Sequence, residues 1–178
     1  MKYLALLRGI NVGGKNIIKM ADLIKAVEKS GFTNVTTYIQ SGNVLFESEI
    51  KDPREVLKKL ETVLLADFTY DSRIIVRTHE QLKKILAEVP PEWHTNRDIR
   101  CYLAFVAEPF SARKLAPQIE TRDGIDFLKA GEGVLYMTTL SSGLTKSKFT
   151  KMITKDFYKE ISIRNYNTAR KLLELMGK

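Results

Sequence analysis

Apolar side chains recur along this chain in two rhythms, and the changes of rhythm mark its elements. Residues 3–7, Tyr-Leu-Ala-Leu-Leu, make an unbroken apolar run that reads as a buried strand and ends in Arg8. Met20, Leu23, Ile24 and Val27 then repeat at helical spacing. Gly31 followed by Phe32 predicts a left-handed cap with its hydrophobic contact, closing a helix over 20–30. Residues 35–40 are β-branched and aromatic, and Ser41-Gly42-Asn43 turns them into Val44-Leu45-Phe46, which predicts a hairpin. Asp52-Pro53-Arg54-Glu55 supplies a capping acceptor, a proline at the first helical position and a carboxylate two positions on. The helix so opened carries Val56, Leu57, Leu60, Val63 and Leu64 on one face, and residues 73–77 follow as a strand.

The order to this point is β-α-β-β-α-β, the split βαβ arrangement of the ferredoxin-like sandwich. A capping box at Thr78 to Gln81 starts a connecting helix with Leu82, Ile85, Leu86 and Val89, which Pro90-Pro91 stops. Beyond it the pattern predicts a strand at 100–107, a short helix at 111–116 and a hairpin of 125–129 with 134–138 around Gly131-Glu132-Gly133. A helix at 149–156, a strand at 161–164 and a last helix at 166–176 complete the chain. The expected fold is therefore α+β, with two ferredoxin-like β-α-β-β-α-β halves, 1–89 and 90–178, that can interlock. The order of elements repeats, but no residue-level repeat aligns between the halves.

Composition narrows the class. With 178 residues, 44% of them apolar, and only five prolines, the chain is long enough for a sizeable core and is not a disordered segment. Lys and Arg exceed Asp and Glu by 29 to 21, a net charge of +8 that is compatible with anionic partners and equally common in proteins that bind none. The excess is concentrated: residues 144–171 hold eight basic residues (Lys146, Lys148, Lys151, Lys155, Lys159, Arg164, Arg170, Lys171) against Asp156 and Glu160. The single cysteine, Cys101, excludes an internal disulfide and a thiolate-rich metal site, and its apolar neighbours mark it as buried filler. Five apolar residues before Arg8 are too few for a secretion signal, and no run approaches the roughly twenty needed to span a membrane. A cytoplasmic protein without a membrane partner is expected.

The candidate chemistry lies in the first loop, Gly9-Ile10-Asn11-Val12-Gly13-Gly14-Lys15-Asn16. Gly13 and Gly14 permit positive φ and close backbone approach, so successive N–H groups can face one concavity, with Arg8 and Lys15 supplying charge. That combination suits an anion. In a ferredoxin-like order this loop and the 40–43 turn lie at the same sheet edge, beside the positive end of the first helix. Arg8, Asn11, Gly13, Gly14, Lys15, Asn16, Gln40, Ser41 and Asn43 are thus the candidate ligand-binding residues. The plainer reading, that turns demand Asn, Gly and Ser, covers the hairpin alone but leaves Arg8, Lys15 and Gln40 unexplained. Near the other end, Asn165 is a good helix cap with Thr168 three residues on, and Ala169, Leu172, Leu173 and Met176 face a core. Arg164 and Asn165 are candidates for a second wall of the same pocket.

The stretches Ala5-Leu6-Leu7-Arg8-Gly9-Ile10-Asn11-Val12-Gly13-Gly14-Lys15-Asn16, Lys19-Met20-Ala21 and Thr37-Tyr38-Ile39-Gln40-Ser41-Gly42-Asn43-Val44 closely resemble the signature of a bacterial family, domain of unknown function 1697. Ile163-Arg164-Asn165-Tyr166-Asn167-Thr168 resembles that family's Arg-Asn-aromatic-Asn-Thr element, although Ile161-Ser162-Ile163 departs from the Ala-Thr-Thr type of run expected before it. The resemblance implies a two-part ferredoxin-like α+β fold and carries no established activity.

Sharper chemistries find less support. Gly9 to Lys15 follows the spacing of a Walker A loop, but Asn16 replaces the Ser or Thr whose hydroxyl holds Mg²⁺. The helix also starts several residues late, and Glu108 is the sole candidate for an acidic strand end. Base stacking on a ferredoxin-like sheet would have only Tyr3 and Phe46, and Phe46 reads as core. Phosphate-backbone binding through 144–171 needs only spaced Lys and Arg. His79 and His94 lack partners at metal-ligand spacing, Ser41 has no nearby histidine base, and Asp123 and Asp126 read as solvated turn acids. No cofactor and no metal are expected. The favoured function is binding of a phosphate-bearing ligand, either a nucleotide-like metabolite or nucleic acid backbone. The rivals are an enzyme acting on a phosphorylated or nucleotide substrate, with Lys15 and Arg8 stabilising charge, and a structural or interaction module whose glycine loop is only a turn. Whether the chain is catalytic and how it oligomerises are left open.

Overall fold

The computed structural model describes residues 1–11 and 17–178, apart from the side chain of His94. It falls into two compact units, Met1–Lys83 with Lys171–Lys178 and Lys84–Arg170. The divisions lie within two helices, where the sequence suggested a single cut between 89 and 90.

The first unit runs β1 (Lys2–Leu7), α1 (Met20–Lys29), β2 (Thr33–Tyr38), β3 (Asn43–Glu47), α2 (Pro53–Phe68) and β4 (Ile74–Thr78), and α3 (His79–Ala87) begins in it. Its four strands are ordered β2-β3-β1-β4, and each neighbouring pair is antiparallel. β1 is internal and residues 3–7 are at most 1% exposed on either face, which is why it reads as an unbroken apolar run. Tyr3, Ala5 and Leu7 share a core with Val44, Phe46, Ile74 and Val76 of the sheet, Leu23 and Val27 of α1, and Val56, Leu60 and Leu64 of α2. The caps form as their residues dictate. The Asp52 carboxylate accepts from the Arg54 N–H at 2.9 Å, and Gly31 ends α1 at φ +90°. At the start of α3, Thr78 and Gln81 exchange side-chain and backbone bonds of 3.1 and 2.9 Å, a complete capping box.

The second unit contains β5 (Ile99–Val106), α4 (Ala112–Leu115), β6 (Asp126–Ala130), β7 (Val134–Leu140), β8 (Ile161–Asn165) and the start of α5 (Tyr166–Met176). Its antiparallel sheet is ordered β6-β7-β5-β8. The helix expected at 149–156 is instead part of a series of three short 3₁₀ turns, Ser141–Lys146, Phe149–Thr154 and Asp156–Glu160. Lys155 is extended between two of them, which interrupts any continuous helix, and the Asp126 carboxylate accepts from Ser147 Oγ and the Lys148 N–H just before the second turn. Met152 and Phe157 still reach the core.

The central strands of the two sheets carry the same Tyr-Leu-Ala triplet in the same pairing, which the linear sequence did not reveal. Tyr3-Leu4-Ala5 of β1 pair with Phe46, Leu45 and Val44 on one side and Thr78, Arg77 and Val76 on the other. Tyr102-Leu103-Ala104 of β5 pair with Met137, Tyr136 and Leu135, and with Asn165, Arg164 and Ile163. Each fourth strand thus sets an arginine opposite a buried leucine. Each arginine donates to the carbonyl of the residue before it, Arg77 to Val76 at 2.8 Å and Arg164 to Ile163 at 2.9 Å. Loops of unequal length hide this correspondence from a linear alignment.

Candidate functional site

The first loop and the 40–43 turn meet at one edge of the first sheet, as the strand order requires. The Leu7 N–H donates to the Gly42 carbonyl at 2.8 Å. Asn11 clasps the base of the loop: its Oδ1 accepts from the Ile18 N–H at 2.8 Å, and its Nδ2 donates to the carbonyls of Ile18 at 3.0 Å and Gln40 at 3.3 Å. Gly42 is seated so tightly that a Cβ there would lie 2.4 Å from Ile10 Cγ2 and 2.8 Å from Leu7 Cβ. Gly9, Asn11, Ile39 and Gly42 all have φ between 51° and 73°, so left-handed residues occur on both turns. For Ile39, a β-branched and half-exposed residue, that conformation is a genuine strain of about 1–2 kcal/mol.

Arg8 follows the end of β1, and its backbone is held on both sides by one phenol. The Arg8 N–H donates to Tyr70 Oη, which in turn donates to the Arg8 carbonyl, both at 2.7 Å. Tyr70 is 3% exposed and sits just past α2, where left-handed Thr69 ends the helix and the Tyr70 N–H bonds the Leu64 carbonyl. Sequence reasoning missed Tyr70 because 62 residues separate it from Arg8; a tyrosine directly after a helix cap was the only signal. Ile39 was likewise read as an ordinary strand residue. Asn43 is fully buried, and its amide donates to the Tyr38 carbonyl and Ser41 Oγ, so its work is to shape the turn. Gln40 and Ser41 lie on the turn itself, Gln40 exposed and Ser41 half-buried. Gly13, Gly14, Lys15 and Asn16 lie outside the described residues.

In the second unit, Asn165 caps α5 as its position predicts, its Oδ1 accepting from the Asn167 N–H at 2.9 Å. The half-buried Arg164 donates to Ser162 Oγ at 3.0 Å as well as to the Ile163 carbonyl. Asn165 also lines a polar pocket of about 520 Å³, together with Arg97 and Arg100. A less polar cleft of about 410 Å³ shares Trp93, Asn96 and Ile99 with it. Cys101 lines the polar pocket, but burial, followed by the nearby Glu92, raises its thiol to about 11, so it is no nucleophile.

Asp126 departs from the expected solvated acid. It is 5% exposed and accepts from Thr139 Oγ1, Ser147 Oγ and the N–H groups of Arg122 and Lys148, at 2.6–3.0 Å. Burial alone would raise its pKa, but these four bonds outweigh burial and lower it. The residue is a structural clamp. The basic segment is also less free than its composition suggests, because Lys148 and Lys151 both approach the Glu120 carboxylate, at 3.7 and 2.9 Å. Among the described residues no group of three or more His, Cys, Asp or Glu could hold a metal ion, and no helix is long and apolar enough to cross a membrane.

Comparison with known proteins is consistent with this architecture. The structure of the conserved bacterial protein SP0830 from Streptococcus pneumoniae aligns over 98% of both chains with a TM-score of 0.85 and 27% sequence identity. No curated protein matches. The family model described as "Protein of unknown function (DUF1697)" matches residues 1–136. The chain that places Arg8, Asn11 and the 40–43 turn at one sheet edge therefore belongs to the DUF1697 family.

Proposed function

We infer that the edge of the first unit bearing residues 8–16 and 40–43 binds a phosphate-bearing ligand, a nucleotide-like metabolite or nucleic acid backbone. The observation that carries this reading is the meeting of the two turns. Asn11 ties the loop base to the Gln40 carbonyl, and Tyr70 fixes the backbone of Arg8, so a cationic residue and two polar turns converge. The loop sequence adds Lys15 and the Gly13-Gly14 pair. Strain retained at Ile39 fits a turn shaped for a ligand rather than for stability. In this reading Asn11 and Asn43 position the site, and Arg8, Gln40 and Ser41, with Lys15 of the loop sequence, are the residues that bind. Each unit is taken as a ferredoxin-like split βαβ, a reading supported by the strand orders and directions, in a protein of the cytoplasm.

The test exchanges Arg8 and Lys15 for Met and measures binding of pyrophosphate and of single- and double-stranded oligonucleotides by calorimetry. The expected result is at least a tenfold loss of affinity without loss of the folded state. Binding that survives both exchanges removes the reading. If nucleic acid backbone is the ligand, affinity falls steeply with salt, whereas a small metabolite gives a shallower slope.

A further inference from the structure

We propose that the second unit carries a ligand site of its own, a cleft and pocket meeting at Trp93 that take a mononucleotide, the base in the cleft and the phosphate in the pocket. The two cavities, about 410 and 520 Å³, are of ordinary ligand size and share the wall formed by Trp93, Asn96 and Ile99. The residues common to both linings make the two cavities neighbours, and the proposed ligand reaches from one into the other.

Their chemistry differs in the sense such a ligand requires. The pocket is polar and holds Arg97 and Arg100, both exposed; among the described residues neither side chain has a hydrogen bond or an ion pair. Two such guanidiniums on one pocket favour a phosphate, whose oxygens match their planar donor arrays. Asn165, the cap of α5, lines the same pocket and adds an amide.

The cleft supplies an aromatic surface. Phe127, 56% exposed on the cleft wall, offers a ring face on which a flat apolar group can stack. Behind it the floor is rigid, because Trp93 meets Tyr136 and Tyr166 edge-on at 6.1 and 5.5 Å and Tyr136 Oη donates to the Ile85 carbonyl at 2.9 Å. Glu92 and Lys129 both line the cleft, so its wall carries one charge of each sign, and Glu92 offers an acceptor for an exocyclic amino group. A planar ring with a donor edge at one end and a phosphate at the other matches this polarity; a simple anion or a fatty chain does not.

Trp93 is the only tryptophan of the chain, so its fluorescence reports this site selectively. The experiment titrates the full chain with AMP, adenosine and inorganic phosphate, excited at the red edge of the indole band, in the native protein, in R97M/R100M, in F127S and in R8M. The expected result is saturable quenching by AMP, at least tenfold weaker binding of adenosine and of phosphate, and at least a tenfold loss in R97M/R100M. F127S is expected to weaken AMP and adenosine but not phosphate. R8M, which alters only the first unit's site, is expected to leave the quenching curve unchanged. Absence of saturable quenching by AMP overturns the proposal. So does a curve that R97M/R100M leaves unmoved while circular dichroism shows that variant folded. A curve abolished by R8M alone assigns the binding to the first site and overturns this one.

Discussion

Gly42 and Gly9 share one backbone conformation, φ +73° and +68°, but differ in the space around them, which separates backbone strain from packing at the candidate edge. In Gly42→Ala the new Cβ would lie 2.4 Å from Ile10 Cγ2, 2.8 Å from Leu7 Cβ and 2.9 Å from the Leu7 carbonyl oxygen. Ile10 can rotate a methyl away. Leu7 cannot yield, because it stands at the end of the central strand and its N–H is bonded to Gly42 itself. The left-handed conformation costs about 1–2 kcal/mol for alanine, and overpacking a fixed site adds about 1–3. Gly42→Ala is thus expected to lose about 3 kcal/mol, a fall in Tm of about 6–12 °C in a protein of this size. Gly9→Ala has nothing within 4 Å among the described residues, so only the conformational cost of about 1 kcal/mol applies. Calorimetric unfolding of the two variants beside the native chain decides it. Equal losses in both would refute the close packing of the two turns.

Three further outcomes follow from individual contacts. Tyr70→Phe strips the Arg8 N–H and carbonyl of their shared partner and is expected to cost about 1–3 kcal/mol in urea unfolding, with weaker pyrophosphate binding; an unchanged midpoint would show the phenol to be dispensable. Ile39→Gly relieves the strained turn and is expected to stabilise the chain by about 0.5–1 kcal/mol while weakening ligand binding, so a stabilised variant with native affinity would remove the link between strain and site. Asp126→Ala leaves four donors without their acceptor and is expected to cost about 3–5 kcal/mol. Because the folded carboxyl is depressed, its contribution is full above the ordinary carboxyl value near 4 and is lost as pH falls through the lower folded value. The native protein should therefore lose stability in that acid window more steeply than Asp126→Asn, and parallel curves would contradict the clamp.

What was legible in the chain is what short-range physics controls. The unbroken apolar run of β1 announced an internal strand, the Asp52-Pro53 pair and the Thr78 to Gln81 box announced helix starts, and Gly31 announced a helix end, because caps and periodicity are settled within a few residues. The convergence of the first loop with the 40–43 turn could be anticipated as well, since alternating strand direction forces both to one edge. The 3₁₀ run before β8 was not legible. Its residues have helical spacing, whereas the chain takes 3₁₀ turns with an extended Lys155 between two of them. Nor could the sequence tell that Asn11 and Asn43 spend their amides on backbone carbonyls, or that Tyr70 would reach Arg8 across 62 residues. The sequence by itself determined the elements, their order and the charge they carry, for propensity and capping act locally. Which polar groups are consumed by the fold and which remain for a ligand was decided by the tertiary structure, because a hydrogen bond is allotted only when distant segments have come within 3 Å of each other.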